Sequence, residues 1–123
     1  MLRAFRRWAI RVAVSRAELQ DAAARLERGL IDANLGGNLY KQRIALPGRG
    51  RSGGARAIIA TRFAGIVVFL YGFEKNERES VTEREIELYR GIARELLAMN
   101  ENQTACALAE GVLWEVTDEP DRR

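Results

Sequence analysis

Leu39-Tyr40-Lys41-Gln42-Arg43-Ile44-Ala45-Leu46 alternates between two kinds of side chain. In extended backbone, successive side chains point to opposite faces, so Tyr40, Gln42, Ile44 and Leu46 share one side of a strand and Lys41 and Arg43 share the other. One face suits a core; the other holds two cations. The chain then runs through Pro47–Gly54, a loop with four glycines and the arginines Arg49 and Arg51. Residues 56–62 read as a second strand, with Arg56, Ile58, Ala60 and Arg62 pointing one way. Residues 66–73 are almost wholly apolar and rich in β-branched and aromatic side chains, which predicts a strand covered on both faces in the middle of the sheet.

Upstream, the period changes from two to that of a helix. Phe5, Trp8, Ala9 and Val12 recur at helical spacing while Arg3, Arg6, Arg7 and Arg11 take the other side, predicting an amphipathic helix over 4–14 with a cationic polar face. Its arginines fit RNA contact, adhesion to a membrane surface or plain solvation. Ser15 and Glu18 form a capping-box pattern, followed by a helix that lines up Leu19, Ala22, Ala23, Leu26 and Leu30. Asp32–Asn38 reads as a turn containing Gly36 and Gly37. Downstream, Thr82 with Glu85 and Val81 with Ile86 predict a helix from about 83 to 99. A shorter helix at 104–109, a strand at 112–116 and a frayed tail over 116–123 complete the pattern. The expected fold is therefore α+β, with two N-terminal helices on a small, mainly antiparallel sheet and a C-terminal helix after it. One domain over 1–123 is expected from the length and from the absence of a repeat or linker.

Charge is distributed unevenly along the 123 residues, although the net value is only +3. Residues 1–17 hold five arginines and no acid, residues 38–62 hold +6 and no acid, and residues 82–123 hold ten acids against five arginines. This polarity fits a basic surface that faces polyphosphate. The apolar run at 65–73 is too short to span a bilayer, the single cysteine cannot close an internal disulfide, and no secretory leader is evident, so the cytoplasm is the expected compartment.

Several chemistries are disfavoured by residue type. The chain has no histidine and one cysteine, which argues against zinc and against a serine nucleophile served by a histidine base. Gly50-Arg51-Ser52 resembles the end of a nucleotide-binding loop, but the lysine is missing and Ala45 stands where the first glycine is needed. No cofactor or metal is expected. What remains is a cluster of Lys41, Arg43, Arg49, Arg51, Arg56 and Lys75 about a glycine loop, where guanidinium groups and backbone N–H groups can hold phosphate oxygens. Tyr71 fits either a core residue whose hydroxyl reaches the rim or a group that stacks on a base. Glu77 is the carboxylate expected beside the basic cluster, with Glu74 nearby.

Three segments, residues 27–43, Pro47–Arg56 and Tyr71–Arg78, closely resemble the HigB-like branch of the RelE/ParE toxin superfamily, and the likeness extends over most of residues 8–100. The resemblance implies a toxin neutralised by a cognate antitoxin, often a helix-turn-helix DNA-binding protein, and a toxin–antitoxin complex that binds operator DNA. It also implies cleavage of mRNA on the ribosome without a metal, through attack of the substrate's own 2′-hydroxyl on the adjacent phosphorus. Carried onto this chain, Lys41, Arg43, Arg49 and Lys75 are expected to bind RNA. Arg51 and Arg56 are expected to face solvent and stabilise charge, and Tyr71 and Glu77 to handle protons. The ParE side of the superfamily implies another outcome, inhibition of DNA gyrase, and a non-catalytic nucleic-acid-binding module is a third. The chain departs from its relatives in three ways: no clear strand precedes the first helix, Thr61 stands where an aromatic residue is common, and Arg51 stands where lysine is common.

Overall fold

The computed structural model describes residues 1–48, 50–63 and 66–116, with only the backbone described for 50–53. In chain order the elements are α1 (Arg3–Arg11), α2 (Arg16–Glu27), β1 (Ala33–Gly36), β2 (Leu39–Leu46), β3 (Gly50–Thr61), β4 (Val67–Glu74), α3 (Glu83–Leu97) and α4 (Glu101–Ala109). The four strands form one antiparallel sheet in the order β1-β2-β3-β4. The α+β class and the helix-sheet-helix plan expected from the sequence are both present.

The period of two along β2 sorts side chains to two cores. Tyr40, Ile44 and Leu46 join Ala55, Ala57, Ile59 and Phe69 beneath Phe5, Trp8, Leu19 and Leu26 of α1 and α2. Leu39 joins Ile58, Ala60, Val68 and Leu70 beneath Ile86, Ala93, Leu96 and Leu97 of α3. Burying each of the valine, leucine, isoleucine and phenylalanine side chains contributes roughly 1.5–3 kcal/mol. Gln42, 1% exposed, is the polar member of the first face. Its Nε2 donates to the carbonyls of Ala22 and Leu30 at 3.1 and 3.0 Å, and its Oε1 accepts from Asp32 N at 3.1 Å, so one buried amide ties α2 and the start of β1 to the sheet.

Contact between α1 and the sheet depends on Gly72. A Cβ there would lie 2.4 Å from Cε3 and Cζ3 of Trp8, so the indole lies on bare backbone. At the start of α3, Thr82 and Glu85 form the complete capping box predicted there. At Ser15 the hydroxyl accepts from Glu18 N, but the Glu18 carboxylate turns away to accept from Ala45 N and Arg25.

Four expectations are corrected. Asp32–Asn38 contains strand β1 and a two-residue hairpin turn, Gly37-Asn38, in which φ is 63° and 65°, as a turn matching strand twist requires. The second strand begins at Gly50, inside the stretch expected to be loop. The apolar strand β4 lies at the edge of the sheet; its two-sided burial comes from α1 on one face and α3 on the other. No strand forms over the described part of 112–116: Leu113 makes an isolated bridge to Leu2, and Leu2 N donates to Phe69 O, so the expected missing edge element is reduced to one residue. The tail expected at 116–123 lies, from 117 on, outside the described residues.

Candidate nucleic-acid interface

Strand register arranges the basic residues. On the face shared with α3, Arg43 is paired with Arg56 and Arg56 with Phe73, which makes one row across β2, β3 and β4. Lys41, Ile58 and Tyr71 make the next row. Lys41, Arg43, Arg56 and Tyr71 are therefore brought onto one face. Arg43 and Lys41 are accessible there, with the Arg43 side chain 52% exposed.

Like charges directly opposite across a sheet repel. Asp32, just ahead of β1, offsets this: its Oδ1 lies 3.2 Å from Arg43 Nε and its Oδ2 lies 3.5 Å from Arg56 Nε. Arg56 also donates to Ala55 O at 3.1 Å. Only 7% of Arg56 is exposed, which corrects the expectation that it faces solvent. The reason is topological: Asp32 lies outside the acid-free stretch at 38–62, yet β1 pairing with β2 returns it to the middle of that stretch.

Tyr71 is held by residues the sequence reading did not single out. Its ring stacks between Phe73 and Tyr89, with centroids 6.0 and 5.6 Å away. Arg78 Nη1 donates to the Tyr71 hydroxyl at 3.0 Å, while Nη2 and Nη1 meet the two carboxylate oxygens of Glu85 at 2.6 and 3.2 Å. Arg78 Nε donates to Ser80 O, fixing the loop that leads into α3. Hydrogen bonding from Arg78, reinforced by the backbone N–H of Thr82, holds the Glu85 carboxyl down at about 2, and the hydrogen bonds to Glu85 and then Tyr71 raise Arg78 further above its ordinary range. Burial, and then the neighbouring Tyr71 and Glu85, push the Tyr89 phenol up. The Thr82–Glu85 capping pattern located Glu85, but nothing local pairs it with Arg78.

The other site residues fall elsewhere. Lys75 is exposed, and its backbone N–H donates to Gly54 O, which places it at the glycine-loop end of the sheet. Glu77 lies in the turn just past β4 and lines a groove with Arg7, Arg11 and Arg78; no hydrogen bond or ion pair among the described residues joins it to Lys41, Arg43 or Arg56. Arg49 lies outside the described residues, as does the side chain of Arg51, whose backbone belongs to β3. Among the described residues no group of three or more cysteine, aspartate or glutamate side chains could hold a metal ion, and no helix is long and apolar enough to cross a membrane.

These features define a class: a small α+β protein that presents guanidinium and ammonium groups in register on one sheet face. Within that class the family can be stated. The family model for the RelE toxin of the RelE/RelB toxin-antitoxin system matches residues 1–116, and the chain belongs to this RelE toxin family. It is thus the toxin of a toxin-antitoxin system, with an antitoxin as its partner. No curated protein and no solved structure matches it significantly.

Proposed function

We propose that this toxin is a ribosome-dependent mRNA endoribonuclease of the HigB-like kind, and that it acts without a metal. The observation that supports this best is the Arg43–Arg56 pair with Lys41 one row away. Asp32 balances one of the two guanidinium charges, so the row with Lys41 keeps a net positive charge, and the exposed Arg43 is free to grip a phosphate. RelE toxins are generally ribonucleases, which favours an enzyme over a passive binder.

In the proposed reaction the 2′-oxygen forms a bond to the adjacent phosphorus and the P–O5′ bond breaks. The products are a 2′,3′-cyclic phosphate and a 5′-hydroxyl; one proton leaves the 2′-oxygen and one is delivered to the 5′-oxygen. Charge builds on the non-bridging oxygens as the phosphorane forms, and fixed cations stabilise it more than they stabilise the ground state. Lys41, Arg43, Arg49 and Lys75 position phosphates in this scheme, and Arg51 stabilises the developing charge. Arg56 acts from its buried place in the row: its charge adds to the local potential, and the Asp32 carboxylate it shares with Arg43 sets the direction of Arg43. Tyr71, already receiving a hydrogen bond from Arg78, is the favoured proton-handling group on the face. Glu77 serves less well there because it sits in the turn past β4 and lines the groove beside α1.

Controlled expression tests the reading. Translation should stop rapidly and mRNA should show breaks in phase with codons, while Lys41→Gln combined with Arg43→Gln should abolish both. SOS induction without mRNA breaks would instead indicate a gyrase target, and normal growth with a folded, expressed protein would indicate a non-catalytic module.

A further inference from the structure

The arginine face of α1 is divided between two jobs. Arg3 donates through Nε and Nη2 to Gly111 O at 3.1 and 2.9 Å, and the Arg6 guanidinium lies 4.0 Å from the centroid of the Trp114 ring. Those two hold the chain beyond α4 against α1. Arg7 and Arg11 are exposed and make no hydrogen bond or ion pair among the described residues. They line a separate open groove of about 670 Å³, whose other walls include Tyr71, Glu77 and Arg78. Because α1 packs on β4 and β4 ends the sheet, this groove runs along the sheet's outer edge.

Tyr71 and Arg78 belong both to this groove and to the face that carries Lys41 and Arg43. The two surfaces are therefore continuous around β4. We propose that the groove is a second RNA subsite, in which Arg7 and Arg11 bind phosphates of the same single strand that crosses the Lys41–Arg43 face. The inference rests on the proposed RNA-binding role of that face. Arg78 is already paired with Glu85, and the two remaining guanidinium groups, Arg7 and Arg11, outnumber the single carboxylate of Glu77 on the groove walls, which fits a phosphodiester chain. Membrane adhesion fits poorly, since Phe5, Trp8 and Ala9, the apolar face α1 would need to insert, are buried in the core.

The test is fluorescence anisotropy with two labelled single-stranded RNAs, a tetramer and a dodecamer, titrated at several salt concentrations. Removing two phosphate contacts lowers the magnitude of the log–log salt slope by about 1.4 for single strands. Arg7→Gln with Arg11→Gln should therefore flatten the dodecamer slope by about that amount and leave the tetramer unchanged. Arg62→Gln with Arg94→Gln, exposed arginines outside both surfaces, supplies the same change in net charge and should shift neither. Lys41→Gln with Arg43→Gln should weaken both RNAs. Equal effects of the α1 pair and the control pair would overturn the second subsite while leaving the primary face intact. Loss confined to the α1 pair, with the Lys41/Arg43 pair neutral, would overturn the primary face instead. Transfer of the α1-pair defect from RNA to an acidic peptide would overturn the assignment of RNA as the groove's ligand.

Discussion

Replacing Asp32 with asparagine keeps the shape of the side chain and removes a charge that bridges Arg43 and Arg56. Arg56 has 8% of its side chain exposed and Asp32 16%, so their pair is shielded from water, whereas Arg43 at 52% can turn outward. Breaking a fully buried pair costs about 3–5 kcal/mol; with one partner free to relax and an amide oxygen still able to accept, about 2–3 kcal/mol is expected here. For a chain of this size that corresponds to a fall of roughly 8–12 °C in the unfolding midpoint. Thermal unfolding followed by circular dichroism measures it, and Asp32→Asn combined with Arg56→Met should recover part of the loss because the buried guanidinium that Asp32 balanced is gone as well. An unchanged midpoint in the single variant, or a double variant no better than the single, would refute the bridging role.

Other outcomes follow from the same geometry. Gly72→Ala places a methyl group into the Trp8 indole and should destabilise by at least about 1–3 kcal/mol, read as a lower urea midpoint. Tyr71→Phe keeps the stack with Phe73 and Tyr89 but removes the hydroxyl, so single-turnover cleavage should fall about 100-fold with little change in KM. The Glu85 carboxyl is depressed in the fold, so its contribution to stability is present above the ordinary glutamate value and is lost as pH falls from about 4.5 to about 2. Glu85→Gln should flatten the acid limb of a stability–pH curve across that window.

Much of this arrangement was legible in residue order, and the exceptions have physical causes. Alternation along Leu39–Leu46 correctly separated Tyr40, Gln42, Ile44 and Leu46 from Lys41 and Arg43, because one-sided burial leaves a period of two. The same logic misplaced β4. Helices on both faces erase alternation whether a strand is central or at an edge, so its apolar run measures coverage and not strand order. Strand β1 left no pattern since it is four residues long and closes on Gly36, although Gly37-Asn38 is itself a hairpin signal. Charge counted by segment found the cations but could not find Asp32, which reaches Arg43 and Arg56 only through strand pairing. The Arg78–Glu85–Tyr71 network was missed for a related reason: it joins a strand, a loop and the first turn of a helix.

The most direct measurement is the chemistry of the cut ends. Purified toxin should be incubated with ribosomes stalled on a defined mRNA, and the fragments analysed by mass spectrometry and by labelling with polynucleotide kinase. Attack by the 2′-hydroxyl on a phosphate held by the Lys41–Arg43–Arg56 face predicts a 5′-hydroxyl on the downstream fragment and a 2′,3′-cyclic phosphate on the upstream one, both lost with Lys41→Gln/Arg43→Gln. Downstream fragments bearing a 5′-phosphate, or full cutting by the folded double variant, would contradict it.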